Sequence, residues 1–457
     1  MSRRARRGSA GGRRARPDGR LLVIRDVRVF DGTGDRAIER AAVVVEGARV
    51  REVVVGAPVA PPGAEVLDGR GGTLLPGFID MHSHLVSELG AAQYLANGVT
   101  AVRYAGNDPD AVLALQERIE AGRVPGPRVF SLGPLLDGVS PDYPSMSWPL
   151  VSAAEARLAV QRLEGEYRVD GIILTQKPAL EVARAAVDEA HRLGLGVTGQ
   201  TWSLTGRQAV AVGYDGLENT SRLPEAPGVL AEARLLGYRS VPERSAMLAR
   251  LWAAADRGRL ERLAHQMVKY GTYLVPTLAG MEAILGRYSA RIRRDPDTRR
   301  LPPRARRDLV TWLGQRFFGA GWSPRDFAYW VRGLGRYQGF VGALARVGGR
   351  VLVGTDALKP CAGFLFHEEL ARLRACGLSP AAVLRAATAA AADTLGRPDL
   401  GRVAPGALAD LVLVSGNPLR RLADARAVRA VVLRGRLVEV GGPGRVPTLS
   451  SRGGARS

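Results

Sequence analysis

The chain has 457 residues, 46% of them hydrophobic and 24% charged, which is the balance of an ordinary globular protein. Its formal net charge is +21, but only three of its 65 basic residues are lysines, so we attribute the charge to composition and expect no nucleic-acid partner. Two cysteines provide no disulfide framework, which favours a reducing, cytoplasmic location, and no apolar run reaches the roughly 18 residues of a membrane span.

The chain opens with a tail and a group of strands. Residues 1–20 hold eight arginines among glycine, serine and alanine, a composition that predicts a disordered tail. Residues 21–76 contain short apolar runs between glycine and aspartate, such as LLVIRDVRVFDG, and these runs predict strands.

Strand and helix patterns alternate over residues 77–400. Eight β-rich stretches recur from GFIDMHSH to RVLVGTDA, with amphipathic runs such as EVARAAVDEAHRLG between them, and eight repeats predict a closed parallel barrel of the TIM (β/α)8 type. Two long segments, 221–270 and 281–345, are expected to be helical and to cover the barrel mouth. Short strands are predicted again in 401–440, and residues 441–457 are rich in Gly, Pro, Ser and Arg, which predicts a flexible tail.

One motif indicates a metal site. The stretch LLPGFIDMHSHL ends in His82 and His84, one residue apart at the end of a predicted strand. Residues i and i+2 of a strand lie on the same face, so both imidazoles are available to one ion.

Over residues 21–440 the chain resembles the amidohydrolase superfamily, in particular its imidazolonepropionase- and prolidase-like branch. The resemblance rests on LLPGFIDMHSHL, GVTAVRYAG, YLVPTL, VGTDA and LGRPDLGRVAPGALADLVLVSGNPL. It implies that residues 21–76 and 401–440 are the two parts of one β-sandwich, beside a barrel formed by residues 77–400. It also implies a metal-dependent hydrolase that acts on a carbon–nitrogen bond of a small molecule, in a cyclic or dipeptide-like amide.

The resemblance also implies a ligand set, which this chain matches only in part. Family members use the two histidines of the first strand, often a carboxylated lysine on the fourth, a histidine on each of the fifth and sixth, and an aspartate on the eighth. The matching positions are His82, His84 and Asp356. The other three positions fall on residues with neither charge nor imidazole, namely Ile173, Gln200 and Asn219.

We therefore expect at most one divalent ion, zinc, held weakly by the three matching residues, with Asp356 also the catalytic proton acceptor. Iron(II) suits the same two-histidine, one-carboxylate set, and a chain without metal is the remaining alternative. A carboxylated Lys177 is a further alternative if the strand register is shifted. His191, His265 and His367 are expected to be structural or exposed.

The substrate pocket and the activity are predicted less sharply. The loop DGVSPDYPSMSWPL follows the third strand, so Tyr143, Trp148 and Trp202 are candidate pocket walls, with ordinary aromatic packing as the alternative. Besides the hydrolase, the sequence leaves open a catalytically degenerate barrel that binds a small molecule or partner, and a decarboxylase or cyclase with the same pocket. A homodimer also remains open.

Overall fold

The computed structural model describes residues 19–56, 58–84, 87–106, 108–219, 221–225, 237–283, 303, 306–307, 319–357, 363–439 and 448–449. The predicted tails, 1–20 and 441–457, lie outside this part of the chain except for residues 19–20 and 448–449. Among the helices described, none is long and apolar enough to cross a membrane.

The two ends of the chain form one sheet. Its strands are β1 Leu21–Val29, β2 Ile38–Glu46, β3 Arg49–Val55, β4 Glu65–Pro76, β14 Leu411–Val414, β15 Val428–Leu433, β16 Arg436–Glu439 and β17 Thr448–Leu449, in the order β17-β16-β15-β14-β4-β1-β2-β3. The N- and C-terminal halves meet where β4 runs antiparallel to β14, with Leu74 opposite Leu413. The composite β domain that the sequence predicts is confirmed.

Two residues of the segment predicted to be a flexible tail are in a strand. Strand β17 pairs with β16, with the backbone of Leu449 opposite Val438. Elsewhere in this sheet, Leu22, Ile24 and Val43 pack in one apolar cluster with Leu411.

The middle of the chain forms the barrel. Its strands are β5 Phe78–Ser83, β6 Val99–Tyr104, β7 Arg128–Ser131, β8 Leu135–Asp137, β10 Gly171–Leu174, β11 Gly196–Gly199, β12 Gly216–Glu218 and β13 Tyr273–Val275, and a short strand β9, Ser147–Pro149, runs parallel to β8. They run parallel to their neighbours, as the TIM-barrel prediction requires.

The third barrel strand differs from its prediction because it is in two pieces. β7 pairs with β6, whereas β8 pairs with β10, and Gly133 between them has a left-handed backbone with φ +71°. The stretch DGVSPDYPSMSWPL, which is predicted to be a loop, therefore starts at the last residue of β8, Asp137, and contains the short strand β9.

Residues 351–357 close the ring as the eighth, extended segment. The amide of Leu352 donates to the carbonyl of Leu274 in β13, and the amide of Met81 in β5 donates to the carbonyl of Val353. First and last strands are therefore neighbours, and their carboxyl ends meet.

The helices lie around the barrel and over its mouth. They are α1 Glu88–Ala96, α2 Pro109–Glu120, α3 Ala153–Gly165, α4 Leu180–Arg192, α5 Gly206–Val212, α6 Val241–Ala254, α7 Arg257–Tyr270, α8 Leu278–Ala283, α9 Pro324–Arg346, α10 Phe364–Ala375, α11 Pro380–Ala386 and α12 Ala389–Thr394. α6, α7 and α9 belong to the two segments predicted to be helical. α9 begins with a reciprocal capping box between Ser323 and Asp326, and its Tyr337 packs on Trp252 of α6, with ring centroids 4.8 Å apart.

A buried aspartate links the first strand to the eighth segment. Asp80 is fully buried and accepts hydrogen bonds from the amide of Thr355 at 3.0 Å, from its hydroxyl at 2.6 Å and from the amide of His82 at 3.1 Å. Burial raises the pKa of Asp80 to about 6, although these hydrogen bonds act in the opposite direction. The contact closes the barrel beside the first histidine.

We predict that Thr355→Val destabilises the protein by about 1–3 kcal/mol, because it leaves a buried carboxylate oxygen without its donor. Thr355→Ser keeps the hydroxyl and is the matched control. Thermal unfolding midpoints of the two variants give the comparison, and equal midpoints would contradict a role for the hydroxyl in closing the barrel.

A second buried acid predicts a pH dependence of stability. Glu369 in α10 is fully buried and accepts from the amide of Ala279 in α8 at 2.7 Å. Burial raises the pKa of Glu369 from 4.5 to about 8, against the effect of its backbone hydrogen bonds. Its contribution to stability is therefore complete below about pH 4.5 and is lost as the pH rises through about 8.

Glu369→Gln removes this titration but keeps the side-chain shape. We expect the variant to gain stability relative to the wild-type protein as the pH rises from 5 to 8. Thermal unfolding midpoints measured across this range are the test, and parallel curves for the two proteins would show that the carboxyl group does not titrate there.

Candidate metal centre

Three side chains meet at the carboxyl ends of the barrel strands. His82 and His84 lie at the end of β5, and Asp356 lies at the end of the eighth segment. One ligand atom of each is within 4.8 Å of the others. The Oδ1 atom of Asp356 lies 2.9 Å from Nε2 of His84 and 3.4 Å from Nε2 of His82. The structure therefore brings together the three residues that the sequence predicts as ligands.

The other ring nitrogens fix how the histidines point. Nδ1 of His82 contacts the carboxylate of Glu218, and Nδ1 of His84 lies 2.7 Å from the carbonyl oxygen of Ala105. Because Nδ1 of each ring faces these oxygens, Nε2 is the nitrogen left to bind a metal ion, and in both rings it lies toward Asp356. This is the arrangement in which outer partners orient metal-binding imidazoles.

The donor set fits a divalent ion. Nε2 of His82 is buried and makes no hydrogen bond, although Asp356 is nearby. A buried ring nitrogen of this kind needs a partner, which is a hydrogen-bond acceptor when the nitrogen is protonated and a cation when it is not. Two imidazoles and one carboxylate with an open fourth position are the ligand set of a catalytic zinc site, so His82, His84 and Asp356 would hold such an ion.

The electrostatics of the centre favour a positive charge. Burial alone lowers the pKa of His82, but the carboxylates of Glu218 and Asp356 outweigh it and raise this pKa to about 10. Burial raises the pKa of Asp356, but its contacts with His82 and His84 outweigh that effect and hold the pKa below the ordinary value. Because protons and metal ions compete for the same nitrogen, metal binding at His82 is expected to release a proton.

Glu218 is the residue that sequence reasoning missed. It is fully buried at the end of β12, where it accepts from Arg103 of β6 and from the hydroxyl of Thr198 in β11, besides contacting His82. Arg103 also donates to the carbonyl of Met81 at 2.8 Å. One sequence feature could have identified this pair. Glu218 in YDGLEN and Arg103 in TAVRYAG are charged residues within short stretches predicted to be buried strands.

The three substituted ligand positions lie at the ends of β10, β11 and β12. Ile173 is fully buried and packs in an apolar cluster with Leu135, so the position that the resemblance assigns to a lysine has an aliphatic side chain. Gln200 accepts from the amide of Gln176 at 2.5 Å. Asn219 donates from Nδ2 to Oδ2 of Asp356 at 3.2 Å. Of the three, Asn219 contacts the centre directly.

The aromatic candidates are divided between the centre and ordinary packing. Tyr143 packs against the cluster around Ile173, and burial raises the pKa of its hydroxyl, with smaller effects of Arg244 and Asp356. Trp202 is 1% exposed in the main core, its ring 5.5 Å from that of Tyr238.

Trp148, in β9, packs beside α3. Its ring centroid is 6.1 Å from that of Tyr167 and 5.1 Å from the guanidinium of Arg162 in α3. For both tryptophans, the structure places the ring in packing contacts.

The alternative ligands point elsewhere. Lys177 pairs with Asp142 at 2.9 Å. His191 pairs with Asp215 at a helix end, and His265 is exposed on α7. Nε2 of His367 lies 3.1 Å from the carbonyl of Asn97, behind β5.

Comparisons with known proteins agree with this geometry. The amidohydrolase family model matches residues 336–438. The chain is 30% identical over 451 residues to the imidazolonepropionase of Anaeromyxobacter sp. (strain K), covering 91% of this chain and 96% of that protein.

Solved structures share the fold at lower identity. A prolidase in complex with N-methylphosphonate-L-proline aligns with a TM-score of 0.67 at 24% identity, over 92% of this chain and 99% of the prolidase. A bottromycin amidohydrolase aligns with a TM-score of 0.65, also at 24% identity, over 91% of this chain and 86% of that structure.

We predict that Glu218→Gln weakens zinc binding by about 10- to 100-fold, because it removes the charged partner that orients His82. Glu189→Gln is a matched control, since Glu189 is also buried but bonds Gln161 and Arg192 at the outer surface of the barrel. Competition with a chelator measures the zinc dissociation constant of each variant. Equal constants for both variants would exclude this role of Glu218.

Proposed function

This chain belongs to the amidohydrolase superfamily, in its imidazolonepropionase- and prolidase-like branch, and from that membership we propose that it hydrolyses a carbon–nitrogen bond of a small molecule with a single divalent ion, zinc. The observation that carries the proposal is the convergence of two imidazole nitrogens on the carboxylate of Asp356. The names of the relatives suggest a ring amide or a dipeptide-like amide as substrate.

A single ion follows from the side chains at the second site. Ile173 offers no donor atom, and the amides of Gln200 and Asn219 are hydrogen-bonded to Gln176 and Asp356. Neutral amide oxygens are in any case poor zinc ligands. Without a lysine carbamate to add negative charge, the ion is bound more weakly than in relatives with two metals.

The chain's own residues supply the proton transfers. When bound, a divalent ion lowers the pKa of water and polarises a carbonyl group. His82 and His84 would hold that ion, and the contacts of their Nδ1 atoms fix the direction of Nε2. Asp356, which is ionised at neutral pH, accepts the proton of the attacking water and returns it to the leaving nitrogen.

We also propose that Tyr143 and Arg244 contact the substrate. Arg244 and Asp356 are among the charged groups that act on the pKa of the Tyr143 hydroxyl, with Arg244 lowering it and Asp356 raising it. Burial raises the pKa of Tyr143, so the phenol stays protonated and serves as a hydrogen-bond donor.

The free thiol of Cys376 accords with action in the cytoplasm.

One observation favours a second candidate function. Ile173 fills the position of the bridging lysine with an aliphatic side chain, as expected if catalysis had been lost and the barrel only bound a small molecule. Metal content separates the two functions, because a binding protein of this kind does not need the ion.

We expect the native protein to contain one zinc ion per chain and to hydrolyse an imidazolone or an Xaa-Pro dipeptide. His82→Ala removes a ligand and is expected to abolish both metal binding and hydrolysis, whereas His191→Ala, at an exposed helix end, leaves both unchanged. Gln200→His adds an imidazole at the second site and is expected to raise metal affinity.

Mass spectrometry of the native protein and turnover assays provide these measurements. Two tightly bound ions per chain would contradict the single-ion centre. A folded protein with no metal and no turnover would favour the binding function.

A further inference from the structure

Three neighbouring strand ends have the same unusual backbone. Asn219 after β12, Thr277 after β13 and Asp356 in the eighth segment have φ values of 59°, 48° and 51°. Asparagine and aspartate tolerate the left-handed region, but a β-branched threonine rarely adopts it. Strained residues of this kind persist where the surrounding structure requires them, and they concentrate at functional sites.

The side chains of these residues form a line of hydrogen bonds that ends at the candidate metal centre. The hydroxyl of Thr277 donates to Oδ1 of Asn219 at 3.0 Å, and Nδ2 of Asn219 donates to Oδ2 of Asp356 at 3.2 Å. Only this amide orientation suits Asp356, because a flipped amide would direct its oxygen at the carboxylate. With the oxygen of the amide facing Thr277, the threonine hydroxyl must be the donor.

A separate contact holds the backbone of the same two strand ends. The hydroxyl of Tyr337, from α9, lies 2.8 Å from the carbonyl oxygen of Asn219 and 3.2 Å from that of Pro276. Tyr337 is itself fully buried against Trp252. The hydrogen bond from Tyr337 therefore holds the backbone of Asn219, while the side chain of Asn219 contacts Asp356.

We propose that Thr277 and Asn219 are positioning residues that set the orientation of the Asp356 carboxylate. By occupying Oδ2, the Asn219 amide leaves Oδ1 as the oxygen that faces Nε2 of His82 and His84. A neutral N–H donor thus takes the position of the family's sixth-strand histidine and orients the remaining ligand. This inference rests on the proposed single-metal function.

Cobalt(II) titration tests the proposal without an assay of activity, because the visible spectrum of bound cobalt reports ligand geometry. Thr277→Val keeps the shape of the side chain but removes the hydroxyl, and we expect it to shift the spectrum and weaken binding by about tenfold. Thr277→Ser keeps the hydroxyl and is expected to retain the wild-type spectrum and affinity. Thermal midpoints check that each variant is folded.

Asn219→Gly removes the amide that bonds both Thr277 and Asp356. Glycine is the suitable replacement because it adopts the left-handed backbone without strain. If Thr277 acts through Asn219, then Thr277→Val has no further effect on the spectrum or affinity in the Asn219→Gly background. Should Thr277→Val fail to fold, the spectrum of Asn219→Gly alone decides the role of the amide.

Three results would overturn the proposal: a wild-type spectrum for Thr277→Val, a wild-type spectrum for Asn219→Gly, or equal effects of Thr277→Val in both backgrounds. Failure of the wild-type protein to bind cobalt or zinc would instead refute the single-metal function.

Discussion

The burial of Glu218 is the constraint on which the centre of this barrel depends. A carboxylate that is fully removed from water is stable only with charged and hydrogen-bonding partners, and here Arg103, His82 and Thr198 provide them. Removing one partner of such a pair typically costs about 3–5 kcal/mol. Four strands of the barrel are thereby joined at one point, and the same contact orients the ring of His82.

Barrel closure and the metal centre use the same residues. Asp80 binds Thr355 across the junction of the first and last strands, and it also accepts from the amide of His82. The amide of Asp356 donates to the carbonyl of His82. The junction that completes the barrel therefore determines the separation of the ligands, so a mutation that loosens one is expected to disturb the other.

The substituted ligand positions have been filled in two ways. Ile173 packs in an apolar cluster, and its side chain has no donor atom for an ion. At Asn219 a polar side chain remained, and its amide now bonds the one carboxylate of the centre. Under the proposed single-ion function, a hydrogen-bond donor therefore stands at the position that the family resemblance assigns to the sixth-strand histidine.

The sequence by itself determined the elements whose signals are local or repeated. Eight strand and helix repeats predicted the barrel, and the spacing of His82 and His84 predicted that both would face one ion. The resemblance to the family added Asp356 and the pairing of the two ends of the chain, which the contact of β4 with β14 confirms.

Tertiary structure alone decided the contacts between distant residues. Glu218 and His82 are 136 residues apart in the sequence. The alternation of apolar and polar residues in the short strands β5 and β12 does not show that these two side chains meet. The break in the third barrel strand at Gly133 and the packing of Trp202 depend likewise on neighbours from other elements.

The direction of the Asn219 side chain at the end of β12 is the clearest example of a feature that only the tertiary structure decides. Asn219 follows Glu218 directly, and in a regular strand the two would face opposite sides. The left-handed backbone of Asn219 turns its amide to Asp356 while Glu218 stays beneath His82, so both consecutive residues serve one centre. Tyr337 contributes to this geometry, because its hydroxyl donates to the carbonyl of Asn219 from a helix 118 residues further along the chain.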